Sequence, residues 1–195
     1  MSPSVNMRSD TAYTLNFLVY IQNLYVNQRS GQGEERYKFP YLSGREIPFL
    51  AEFEREFAKV WADVASPLLA EEPFYDLNLF KSNQELVYER LFVQEEDCYR
   101  QYFDIYQSFL AWWNSWAGRF ALDQGFDNRK LYDALMAAVQ ATGGELRKTF
   151  EISILYDACT LGDEEVFPYF AIMPYADCLL KEEVLVAKLK ACLQQ

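Results

Sequence analysis

Histidine is absent from this chain of 195 residues. That absence removes the side chain that most often does general acid–base work near neutral pH, and the commonest neutral metal ligand. Ser-His-Asp and Cys-His nucleophile sites, histidine-containing zinc sites and the Glu-x-x-His di-iron motif are all excluded by composition. Cysteine is scarce as well. Cys98, Cys159, Cys178 and Cys192 form no C-x-x-C pair, so a zinc ribbon or a thioredoxin-like site has no support. Long apolar runs are missing too: none approaches the ~20 residues that span a bilayer, and the stretch 109–122 is broken by Asn114, Ser115 and Arg119. Residues 1–8 are too polar for the apolar core of a secretory signal. These absences lead us to expect a cytoplasmic protein with reduced thiols, no membrane contact, no cofactor, no resident metal and no catalytic residue.

What is present is aromatic and acidic. The chain carries 15 Phe, 14 Tyr and 4 Trp on a body with a net charge of −11. With 51% hydrophobic and 24% charged residues it has the composition of a globular protein and not of a disordered one. Residues 46–104 hold 14 acids against 5 bases, a net of −9, so the acidity is concentrated. Such a field disfavours nucleic acid and anionic membrane as direct partners, because phosphate binding is driven by Lys and Arg. It steers basic proteins toward the chain, and it also serves solubility.

The periodicity is mostly helical. Leu15, Phe17, Leu18, Ile21, Leu24 and Tyr25 share one face of a helix expected over 10–28. Residues 30–44 break all periodicity and are expected to form a long loop or strap. A second helix is expected from between Ser43 and Pro48, with Phe49, Phe53, Phe57, Trp61 and Val64 as its stripe. Ser82-Asn-Gln-Glu85 reads as a capping box for a long helix running to about 117 without Gly or Pro. Its two stripes, one through Cys98, Tyr102 and Phe109 and one through Tyr99, Phe103 and Tyr106, imply cover on more than one side. A helix carrying Leu131, Leu135 and Val139 follows and ends at Gly143-Gly144. Residues 145–160 suit a further helix through Leu146, Phe150, Ile154 and Ala158, although 150–156 also fits strand alternation. Pro168 and Pro174 bracket a segment expected to be irregular, and a last helix is expected over 177–193. The expected fold is therefore all-α: a single domain over 1–195, a bundle of five to seven helices around a central aromatic helix at about 82–117.

The candidate binding residues are Glu85, Glu89, Glu95, Glu96, Asp97 and Asp104, with Trp113 from the string Trp112-Trp113-Asn114-Ser115-Trp116. The carboxylates would attract a basic surface, and tryptophan is enriched at binding hot spots. Against this stand two plainer readings, a solvated helix face for the acids and core packing for the tryptophans. The leading expectation for function is a non-enzymatic acidic interaction module, such as an inhibitor, an immunity or anti-defence factor, or a subunit of a larger complex, binding a basic protein partner. One alternative is a Mg²⁺- or Mn²⁺-dependent hydrolase of a phosphorylated substrate, built on the same carboxylates. The helical Mg²⁺ motifs E-E-x-x-E with E-x-x-D, and D-D-x-x-D, are however missing. The other alternative is a homo-oligomer whose aromatics bury a subunit interface.

Overall fold

The structure, a computed structural model, describes residues 6–30, 37–42, 46–68, 85–120, 128–143, 148–162 and 167–193. The chain divides into two compact units. Unit 1 comprises residues 1–12, 116–158 and 164–195, and unit 2 comprises 13–115 and 159–163.

Unit 1 corrects the all-α expectation. It holds a three-stranded parallel sheet of β1 (Met7–Asp10), β2 (Phe150–Leu155) and β3 (Phe170–Pro174) in the order β1-β2-β3. Ser9 sits opposite Ile152, and Ile152 opposite Ala171. The chain is thus mixed α/β. The helix expected over 145–160 is a strand in its middle, and the segment expected to be irregular between Pro168 and Pro174 contains another. Phe150, Ile152 and Ile154 are two apart as well as on the four-residue series, so one set of apolar positions satisfies both periods. The β-branched content of Phe150-Glu-Ile-Ser-Ile-Leu favours the strand.

Helix α6 (Asn128–Thr142) and helix α8 (Glu182–Leu193) cover this sheet with aliphatic side chains. Leu131, Leu135 and Val139 from α6 join Leu185 and Leu189 from α8 and the strand residues in one core. Gly143, at φ 67°, ends α6 in the left-handed region, where an L side chain is strained. The last helix starts later than expected. A single turn, α7 (Tyr175–Cys178), follows β3, and α8 begins only at Glu182. Unit 1 also contains α5 (Trp116–Arg119), a single turn.

Unit 2 is helical. Helix α1 (Tyr13–Arg29) is buried at every position from Tyr13 to Tyr25, so it is α1 that is covered on all sides. The central helix expected at 82–117 is broken twice among the described residues, at 92–95 and again at 114–115. Residues 85–91 (α3) end at Phe92, and α4 runs Glu96–Trp113. No Gly or Pro makes the first break; tertiary hydrogen bonding does. The Leu50 N–H donates to Leu91 O (3.0 Å) and the Val93 N–H to Pro48 O (2.9 Å). The Gln94 amide donates to the carbonyls of Tyr88 (3.0 Å) and Phe92 (2.8 Å), and the Tyr88 hydroxyl to Glu95 O (2.9 Å). The backbone groups released by the break are thereby satisfied. Helix α2 (Phe53–Leu68) starts five residues beyond the Pro48 limit of the expectation, because 46–50 is extended and Phe49 bridges Phe92. Ser43, the Ser82 cap, Gly144 and Leu146 lie outside the described residues.

Rings fill unit 2. Phe17 meets Tyr106 at 5.7 Å and Phe109 at 5.0 Å, and Tyr25 stacks on Phe53 at 4.1 Å. Phe92 meets Tyr102 at 5.1 Å. The polar residues of α1 act as anchors for other backbone. Buried Gln22 accepts from the amides of Thr160 (2.7 Å) and Leu161 (3.0 Å). Asn27 donates to Lys38 O (2.7 Å) and Pro40 O (2.9 Å), while Asn23 donates to Phe39 O (2.8 Å). The described part of the strap, 37–42, is held on α1 by these amides.

Candidate functional site

Helices α3 and α4 of unit 2 meet at an angle set by the 92–95 break and locked by aromatic contacts. Tyr88 of α3 packs on Tyr99 (5.0 Å) and Tyr102 (5.4 Å) of α4. Cys98, Tyr102, Ile105, Tyr106 and Phe109 form the buried side of α4. Burial pushes the Tyr102 hydroxyl above the ordinary tyrosine range, with Tyr106 and Tyr99 adding to it. This ring is fixed core.

The opposite side of the same pair carries the candidate acids. Glu85, Glu89, Glu95, Glu96, Asp97 and Asp104 are all exposed. Glu95 precedes the first turn of α4 and its side chain makes no capping hydrogen bond. Glu96 and Asp97 occupy that first turn, where the helix dipole favours acids. Asp104 is mid-helix and Glu89 lies near the end of α3, so neither gains from that effect. The bases on this side are few. Arg90 is committed to Asp63 and Glu56 of α2. Among the described residues Glu85, Glu89, Glu95, Glu96 and Asp97 enter no ion pair. The local field is felt by Cys98, whose thiol is pushed up by burial and then by the Glu95 and Asp97 charges.

Three apolar side chains stand among these acids. Leu86 is 37% exposed, Tyr99 44% and Phe103 45%. Tyr99 and Phe103 are four apart, hence neighbours on one face of α4. The sequence assigned them to a second core stripe, and the structure turns them outward. Their readable signal was the charged set Glu96, Arg100 and Asp104, which lies beside them on the helical wheel.

Trp113 is placed otherwise. It is half-buried, with its ring edge-on to Tyr13 (5.1 Å) and 5.5 Å from Phe109, so packing accounts for it. Trp112 and Trp116 do not share a helix face, because α4 stops at Trp113 and Asn114 and Ser115 turn the chain. The exposed tryptophan is Trp116, 78% exposed and stacked on Phe120 at 5.1 Å in unit 1. A further aromatic exposure lies on the strap, where the rings of Tyr37 and Tyr41 are 4.3 Å apart.

The acids do not converge. Among the described residues no group of three or more His, Cys, Asp or Glu side chains is placed to hold a metal ion. The thiols are not activated either: burial pushes Cys159 up to about 12 and Cys178 up to about 11. A nucleophilic cysteine needs the opposite shift. Among the described residues no helix is long and apolar enough to cross a membrane. No protein-family model matches this chain, and no curated protein or solved structure does so either.

Proposed function

We propose that the chain is a non-enzymatic interaction module that binds a protein partner with a basic surface through the acidic side of unit 2. The observation that carries this reading is the exposed set Glu85, Glu89, Glu95, Glu96 and Asp97, which enters no ion pair among the described residues. A solvated face gains little from such a concentration, because like charges repel. A basic partner would relieve that repulsion and be steered toward it, with the association rate falling as salt rises. The inhibitor, immunity-factor and complex-subunit readings all share this binding step.

The test is affinity capture from native lysate with the intact chain, at low salt and after a high-salt wash. A parallel bait carries Glu89→Gln, Glu96→Gln and Asp97→Asn. The expected result is a basic partner retained at low salt and lost both on washing and with the neutralised bait. A partner that binds both baits equally and resists salt would overturn the reading.

A further inference from the structure

We infer that the outer face of α4, beside α3, seats a basic amphipathic helix, with Tyr99, Phe103 and Leu110 as its apolar floor. The inference rests on the reading of the chain as a binding module and adds the form of the partner. Tyr99, Phe103 and half-buried Leu110 fall along one edge of α4, separated by four and seven residues. That strip covers 11 residues of rise, about 16 Å at ~1.5 Å per residue, or three helical turns. Side chains in such a row pack against the grooves of a second helix.

Charge decides which helix fits. Glu85 and Glu89 stand on the α3 side, Glu96 and Asp104 on the α4 side, and Arg100 is the base that faces out among them. A helix with an apolar stripe bordered by Lys or Arg complements both features. A second copy of this chain does not, since a two-fold pairing of this face would set the same acids against each other. An anionic lipid surface or nucleic acid is repelled by the same field.

The probe is a fluorescently labelled 18-residue Lys/Leu peptide of amphipathic helical sequence. It is titrated into the full chain beside an isomer of identical composition with scrambled order. The expected result is that the amphipathic isomer binds at least about tenfold tighter, a difference of about 1.4 kcal/mol. Phe103→Ser should erase that preference while leaving the weak, salt-sensitive binding of the scrambled isomer. Tyr99→Ser, one turn earlier on the same strip, should reduce it in the same direction. Equal affinity for the two isomers, or a preference that survives both serine variants, would overturn the inference while leaving a basic partner in place. No binding of either isomer at low salt would overturn both.

Discussion

Unit 2 buries its central helix under rings, whereas unit 1 buries its sheet under Leu, Ile, Val and Ala. In unit 2 the interior also accepts Asn16, Gln22 and Asn23, and at least the latter two hold other backbone segments in place. The described core of unit 1 is almost wholly apolar, with Ser153 as its buried polar residue. Aromatic helices meet at few, large contacts and leave loops that need side-chain anchors. Aliphatic helices on a parallel sheet interlock through many small contacts, and the sheet satisfies its own backbone. The surface follows the same division. Unit 2 has rings to spare and exposes some of them beside its acids.

The comparison can be broken most forcefully at the two cores. Phe109→Ala removes a fully buried ring that meets Tyr13, Phe17, Tyr20 and Trp113, and should cost about 3–5 kcal/mol. Leu189→Ala in unit 1 should cost about 2–5 kcal/mol. Hydrogen exchange followed by mass spectrometry should show the first loss in amides of 13–29 and 96–113 and the second in 128–142 and 150–155. Loss spread evenly over both units in both variants would mean that they do not differ as independent cores.

The anchors of unit 2 come next. Gln22→Ala takes the acceptor from two backbone amides and should cost about 1–3 kcal/mol. Gly162→Ala should cost about the same, since its Cβ would lie 2.7 Å from the Trp61 ring and 2.8 Å from Cys159 Sγ. Urea midpoints measure both, and an unchanged midpoint for either would remove the anchoring role of 159–163.

A smaller effect is expected at high pH. The thiols of Cys159 and Cys178, ordinarily near 9, are raised to about 12 and about 11 by burial. Their contribution to stability is therefore fully present below pH 9 and lost as pH rises through the raised values, because the unfolded chain ionises first. Folding free energy should fall between pH 9 and 11, less steeply in Cys178→Ala. A thiol reagent at pH 8 should label the native chain slowly at both positions. The smallest effect is Gly143→Ala, where the added methyl meets open space but φ is +67°; about 1 kcal/mol is expected from thermal unfolding.

How much of this was legible in the residues differs between the units for a physical reason. Leu131, Leu135 and Val139, which the spacing placed on one helix, are all buried because that helix is amphipathic in the ordinary way. The sheet was missed because Phe150, Ile152 and Ile154 satisfy two periods at once, and only pairing with β1 and β3 selects the strand. The 92–95 break was missed because its cause is distant in sequence, in Pro48 and Leu50. In α1 the spacing showed only the apolar face, and the role of Gln22, Asn23 and Asn27 as anchors depends on segments distant in sequence. At the candidate site the acids were readable from charge density. The outward turn of Tyr99 and Phe103 was readable only from the charges beside them, Glu96, Arg100 and Asp104, since an aromatic stripe by itself looks alike whether covered or bare.

The most direct test follows backbone amide shifts of the intact, isotopically labelled chain while the amphipathic Lys/Leu peptide is added. The expected result is saturable perturbation confined to unit 2, centred on 85–91 and 96–110, and weakened by Phe103→Ser to the level of the scrambled isomer. Perturbation centred on the acids of unit 1, such as Asp133, Glu182 and Glu183, or spread evenly over both units, would contradict the assignment of binding to the α3 and α4 face.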